Sequence, residues 1–522
     1  MTTMRKFYLV VSVAGLLIGS ACNNLDVTNP NNPDVARALA SPEDVKNISI
    51  STMNSWYLTS TYFEPYMSMC VTADSCSANF GNFGMRFNNL EPRIPYGNSS
   101  AGGDRAVTES PWNFNYQTLG AANDALRAYK AGIQLVTAAE TAKFKAIAQF
   151  TQAASLMNLA LIFDKAFVVD ETFDATAGAP ELVAYTEVSK AAAAKFETLI
   201  ADLNGKSETY DATVFNTTVA LTSSRLQRLS NTMEALLLAY TPRKASEAAS
   251  VDWAKVAALA DKGIGTGSAG APFDLIVQGD NNNWYSYIAF YGDEQSWVRV
   301  DHRLINRMDG TTPPKFNGTV VPRGTSPDAR YVSDYTFQSP AIGDPSRGIY
   351  MQSVWVHTRY VGHSRTSPTS ARTPVPYILA AESDLVRAEA LIRKAGPDLA
   401  TAAALINNSR VTRGHLPAAT AGEGAAALLG YIDYEREIEL HATDGFELFQ
   451  RRHVDGLQPG TYRHLPIPAK ELETLALPIY TFGGVGQPDQ NVLLPDGTLT
   501  GVRGLPSFRA IPHGMRTVSP QL

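Results

Sequence analysis

The chain has 522 residues, of which 44% are hydrophobic, 9% aromatic and only 18% charged, with a formal net charge of −6. This mild acidic balance lacks the basic face that nucleic-acid binding requires, and the length allows one large domain with insertions or two closely packed lobes. With 22 Tyr and 21 Phe but few charges, the surface is expected to be polar and largely uncharged.

In chain order, Arg5 and Lys6 precede an apolar run from Phe7 to Ile18, followed by the small residues Gly19, Ser20 and Ala21. That is the layout of a secretory signal peptide, and the run falls short of the roughly 20 residues that cross a bilayer. Cys22 follows at once, and "NNLDVTNPNNPD" behind it reads as a tether. The stretch resembles a bacterial lipoprotein box, with Gly19 where an aliphatic residue is usual. Residues 1–21 are therefore expected to be removed and 22–40 to form a tether on a lipidated Cys22; the alternative is ordinary cleavage nearby, with Cys22 a free thiol. Two or three acyl chains would hold the protein on a membrane, which one chain does only marginally.

From residue 41, "SPEDVKNI" has Ser41 as a cap, Pro42 at the first helical position and acids in the first turn, and predicts a helix. Cys70 and Cys76 in "CVTADSC" form either a short disulfide, in an oxidising compartment, or two unpaired thiols; their spacing is not the CxxC of zinc or redox sites. Residues 71–115 mix Gly, Asn, Pro and aromatics without a period and read as loops. Helix returns from Asp124, and "FKAIAQFTQAASLMNLALIF" is apolar nearly all round, as a helix buried among others should be.

Leu226, Leu229, Met233, Leu236 and Tyr240 share one helical face, Pro242 breaks it, and Trp253, Val256 and Leu259 begin a second face closed by Gly263. The same pattern recurs with Tyr377, Ala381, Leu385, Ala388 and Ile392, a Gly396-Pro397 stop, and then Leu399, Ala403 and Ile406. Each hairpin takes roughly 35 to 40 residues, close to the tetratricopeptide period of about 34, although the strict repeat signature is absent. With helices near 120–163 and 184–203, the prediction is a mainly α fold of stacked helical pairs. Residues 270–375, rich in Gly, Pro, Ser, Thr, Asn and aromatics, predict a second lobe of short strands and loops. The expected division of 41–522 is a scaffold over about 41–70, 116–265 and 376–455 and a loop-rich lobe over about 71–115, 266–375 and 456–522.

Several stretches resemble the SusD/RagB family of outer-membrane nutrient-binding lipoproteins. They are "AQFTQAASLMNLALIFDKAFVVDE", "AYTEVSKAAAAKFETLIADLN", the helical pair that opens its second member with Trp253, and above all "YIDYEREIELHATDGFELFQRRH". The last resembles the family's Glu-Arg, Glu-Leu, Glu-Gly and Arg pattern through Glu435, Arg436, Glu439, Leu440, Asp444, Gly445 and Arg451, and "HLPIPAKELE" matches its Pro-Ile-Pro segment at Pro466 to Pro468. Asp444 stands in place of Glu, and the spacing from Gly445 to the arginines is one residue shorter than usual. The resemblance implies a tetratricopeptide-like scaffold carrying a loop-rich lobe. It also implies that the protein captures an oligosaccharide or another oligomeric nutrient, glycan or peptide, outside the cell and delivers it to a SusC-like TonB-dependent barrel in the outer membrane.

A sugar site needs flat aromatics for the C–H faces of the rings and amides or charged groups for their hydroxyls. "NNNWYSYIAF" supplies Asn282, Asn283, Trp284, Tyr285 and Tyr287, and "NFGNFGMRFNN" supplies Asn82, Phe83, Arg86 and Phe87. The competing reading is an exported all-helical polysaccharide-degrading enzyme. Glu435 and Glu439 lie four apart on one helical face and suggest a carboxylate pair, but neighbours on one helix converge poorly across a bond, and the expectation is solvated pairs with Arg436 or cap contacts. No HExxH motif occurs, and His357, His363, His441 and His453 have no ligand spacing. "GDPSRG" and "GTGSAG" read as turns rather than phosphate loops. Neither a metal nor a cofactor is expected.

Overall fold

Helix α1 (Pro42–Thr61) begins where the Ser41 hydroxyl accepts the Asp44 N–H and Pro42 occupies a position whose own N–H has no helical partner. It is followed by α2 (Phe63–Thr72). The computed structural model describes residues 39–81, 84–174, 176, 178–279, 284, 297–339, 343–360, 374–443, 445–486 and 491–492. The fold within them is mainly α, and its strands pair only in two-stranded ladders.

The scaffold continues with α3 (Ala106–Lys130), α4 (Ala138–Ile162), α5 (Tyr185–Asp202), α6 (Ser223–Tyr240), α7 (Trp253–Asp261), α8 (His302–Asp309, which belongs to the other lobe), α9 (Ala380–Arg393), α10 (Leu399–Arg410), α11 (Gly424–Glu439) and α12 (Glu447–Arg452). Successive members stack: α3 on α4, α4 on α5, α5 on α6, α6 on α7, α7 on α9, α9 on α10 and α10 on α11. Each helix thereby buries its stripe against a neighbour.

Two boundaries differ from the sequence reading. Helix α3 begins at Ala106, inside the stretch read as loop, and carries Pro111 within it. The ring of Trp112 packs edge-on against Phe163 at 5.0 Å and Phe167 at 5.9 Å, and this burial outweighs the lost backbone bond. Tyr377, expected on a helical face, instead lies in a strand, Pro374–Ile378, paired antiparallel with Leu275–Gln278. Two prolines hold that run extended, and the Tyr377 ring reaches Trp56 at 4.6 Å.

Helix α4 is buried on every side from Ala146 to Ile162, so its last carbonyls cannot turn to water. They are satisfied from elsewhere. Arg243 donates to the oxygens of Ala160 and Phe163, Arg452 donates to Leu161 at 2.7 Å, and the Leu465 N–H donates to Ile162. Both guanidiniums are buried beside the negative end of the helix dipole. Burial pushes the pKa of Arg452 well below its ordinary value, and the charge of Arg243 pushes it the same way.

The loop-rich lobe has its own apolar cluster, including Val300, Ile305, Tyr331, Tyr335 and Trp355, into which Ile438 of α11 projects. A buried charge network ties this lobe to the scaffold. Arg330 is fully buried and donates to Asp328 on its own lobe and to Glu435 and Glu439 on α11. Arg359 and Arg413 reach Glu439 as well, at 2.8 and 3.1 Å. The two glutamates are therefore neither solvated nor paired with Arg436, which instead binds Glu389 at 2.7 Å.

Candidate functional site

The strand Cys76–Ser77 pairs antiparallel with Arg299–Val300, and one further bond, from the Phe80 N–H to the Trp297 oxygen at 3.0 Å, carries the two chains outward. There the rings of Phe80 and Trp297 stack, 5.0 Å apart and within 8° of parallel. Phe80 remains 37% exposed, a large fraction for an aromatic, and Phe87 on the short helix Met85–Asn88 is 38% exposed.

Polar groups frame this pair. Asp344 caps the turn Pro345–Arg347 by accepting the Ser346 N–H, and the turn aims Arg347 at Phe80. Arg347 donates to the oxygens of Phe80 and Gly81 at 2.9 and 3.0 Å and stands 6.0 Å from the Phe80 ring centre. The Ser346 hydroxyl and N–H hold the Asp344 carboxyl below its ordinary pKa. Tyr350 accepts the Glu91 N–H through its hydroxyl, and burial raises its pKa against the pull of Arg93 and Arg86. Close approach of the 343–353 segment depends on Gly343, at φ 139°, where a Cβ would collide with the Asn79 oxygen. The Asn79 side chain in turn accepts the Ser353 N–H.

Such a shelf, flat apolar rings edged by guanidinium and hydroxyl groups, can hold the C–H face of a sugar ring while bonding its hydroxyls. Of the residues expected from sequence, Arg86 is here, within electrostatic reach of Tyr350 and Asp344. Trp284 is not. It is 7% exposed and packs against Tyr57 at 5.3 Å in the main helical core; an indole buries more apolar surface there than on a loop. Asn82, Phe83, Asn282, Asn283, Tyr285, Tyr287, His363, Asp444 and the lipidation candidate Cys22 lie outside the described residues.

Phe80, Trp297, Arg347 and Tyr350 went unnamed in the sequence reading. The available signal was an aromatic beside glycine in a loop, and "GDPSRG", correctly read as a turn, gave no hint that its arginine reaches a residue 267 positions away. Cys70 and Cys76 are joined as a disulfide at the inner end of the same ladder. His441 stands within 4.8 Å of them, but the two sulfurs are bonded to each other. Glu435 is fully buried and Glu439 2% exposed, both held by Arg330 rather than facing a cleft.

No family model and no curated protein matches the sequence. Solved structures do match in fold. A SusD superfamily protein from Parabacteroides distasonis is 13% identical with a TM-score of 0.58, over 82% of this chain and 97% of its own. A SusD homolog from Bacteroides thetaiotaomicron is 15% identical with a TM-score of 0.57, over 83% and 96%. A SusD-like protein described as laminarin binding is 15% identical with a TM-score of 0.52, over 83% and 97%. The chain has the SusD-like fold.

Proposed function

We propose, from that fold, that the chain is a cell-surface binding lipoprotein of the SusD type, which captures an oligosaccharide on the Phe80–Trp297 shelf and passes it to a SusC-like TonB-dependent transporter in the outer membrane. The observation that carries the reading is the stacked, partly exposed aromatic pair edged by Arg347, on a fold whose solved examples include proteins described as carbohydrate binding. Capture without turnover agrees with the burial and ion pairing of Glu435 and Glu439, the carboxylates that the enzyme reading would need.

The anchor is read from the sequence: Cys22 would take the lipid and residues 23–40 would give the domain reach. Among the described residues no helix is long and apolar enough to cross a membrane. Calorimetry against laminarin, other neutral glucans, mannans and a peptide digest tests the ligand class. Saturable glycan binding that weakens in Phe80→Ala and Trp297→Ala supports the proposal; binding of peptides alone, or glycan cleavage during the titration, overturns it. Labelling with a radioactive fatty acid, lost in Cys22→Ser, and co-purification of a barrel protein with the native material test the anchor and the partner.

A further inference from the structure

The ladder that presents Phe80 and Trp297 at one end borders a cavity at the other. Beyond Cys76, the Ser75 oxygen accepts the Asp301 N–H at 3.0 Å, and next to this bond lies a space of about 270 Å³. Arg303 and Arg307 enter its wall from α8, Glu437 from α11 and Arg451 from α12, and Asp74 closes it beside the end of α2. At about 30 Å³ per water it has room for about nine waters, or for a small ion with part of its hydration shell.

The wall carries three guanidiniums against two carboxylates, and both carboxylates are already committed. Asp74 is buried and holds Arg93, which lies off the wall, at 2.6 Å. Glu437 is shared: it binds Arg307 at 2.5 Å and stands 3.4 Å from Arg451. Arg303 has Asp301 and Glu91 besides, and Arg307 has Asp433 at 2.8 Å. Arg451 pairs with no other acid among the described residues; its short bonds go to the neutral oxygens of Ala73 at 2.7 Å and Gly456 at 3.0 Å. It is therefore a cation without a counter-ion of its own. The charges are also layered. The side chains of Arg303, Arg307 and Arg451 are 21, 30 and 18% exposed, whereas the acids behind them, Asp74, Asp301, Glu91 and Glu437, are 0, 4, 8 and 11% exposed; Asp433 is exposed but is not part of the wall. The surface turned toward the cavity is thus cationic, and low-dielectric walls concentrate its field there. A guanidinium bonded to one or two acceptors keeps further N–H donors, in a planar fork that matches the paired oxygens of an oxyanion. A cation would be repelled, and a neutral ligand would leave the Arg451 charge unanswered.

We infer that this cavity is an oxyanion site, binding a phosphate or sulfate group between Arg307 and Arg451, separate from the aromatic shelf and independent of whether the shelf holds a glycan. Calorimetry on the full purified chain at low ionic strength tests this with inorganic phosphate and inorganic sulfate, with chloride at matched ionic strength as the control for general screening and phenyl phosphate as an ester. Saturable binding of phosphate or sulfate is expected, about ten-fold weaker in Arg451→Gln and in Arg307→Gln and several-fold tighter in Glu437→Gln, and unchanged in Phe80→Ala. The Glu437→Gln arm separates charge from damage, because a loosened wall would weaken binding whereas removal of the shared carboxylate frees both arginines for the anion. Phenyl phosphate binding as tightly as phosphate identifies the ligand as a phosphoryl group on a larger molecule; its exclusion identifies the free ion. The inference falls if neither anion saturates, if chloride abolishes the heat at matched ionic strength, if Glu437→Gln binds no tighter than the parent, or if both arginine variants bind as the parent does.

Discussion

Replacing Arg330 with Met removes the cation at the joint between lobe and scaffold while nearly conserving volume. Its guanidinium makes five hydrogen bonds to three carboxylates: two to Asp328 at 2.9 and 2.8 Å, two to Glu435 at 2.6 and 3.0 Å, and one to Glu439 at 3.1 Å. Glu439 would keep Arg359 and Arg413, and Asp328 would keep the Tyr434 hydroxyl at 2.7 Å. Glu435 would lose its ion pair while fully buried. Stranding one buried charge in this way costs about 3–5 kcal/mol. With an unfolding entropy of about 2.1 cal/mol/K per residue, a cooperative unit of roughly 480 residues, the chain without its leader and tether, changes by about 1 kcal/mol per degree, so calorimetry should show the midpoint falling by roughly 3–5 °C.

The deficit must also depend on pH. Burial already raises the Glu435 pKa, opposed by Arg330; without the arginine it rises further, and the folded variant binds a proton that its unfolded chain releases. Stability of the variant relative to the parent then recovers as pH falls and worsens as pH rises. Adding Glu435→Gln should restore at least half of the loss at neutral pH, since it removes the stranded charge. A midpoint shift under about 1 °C, or a deficit that does not change with pH, would refute the assignment of this network as the joint.

Phe80→Ala and Trp297→Ala should each remove about 1 kcal/mol of ring stacking, roughly five-fold in glycan affinity by calorimetry, with the melting midpoint nearly unchanged because both rings stand at the rim. Glu64 is buried, and desolvation pushes its pKa from 4.5 to about 8; the folded state therefore retains a proton that the unfolded chain loses, and stability declines as pH rises from about 4.5 through about 8. Glu64→Gln should flatten that slope and melt higher than the parent above pH 8 in a differential scan; parallel pH profiles would contradict the assignment. Opening the Cys70–Cys76 loop with a Cys70→Ser, Cys76→Ser pair should cost about 2–3 kcal/mol by loop-closure entropy and speed amide exchange in 74–81 and 297–301, the two sides of the ladder it braces; unchanged exchange there would show that the ladder stands without it.

The C-terminal stretch shows how far sequence and structure share the account. Its glutamates and arginines were legible as a pattern, and the resemblance they carry agrees with the fold. Their work was not. Glu435 and Glu439 clamp an arginine more than a hundred positions upstream, Arg436 serves Glu389, and Arg452 caps a helix that ended almost three hundred residues earlier. The shelf has the same character, since Phe80 and Trp297 meet only because a two-residue ladder joins remote segments.

Sequence alone determined most of the helices: the Ser41 cap, the three-and-four spacing of apolar residues and the proline and glycine stops all act within a few turns of chain, so their consequences can be read locally. Tertiary structure decided where α3 begins, why Tyr377 is extended, why Trp284 is inside and Phe80 outside, and which charges find partners. Each of these is a competition between burial and solvation, and its outcome depends on residues that only folding brings near.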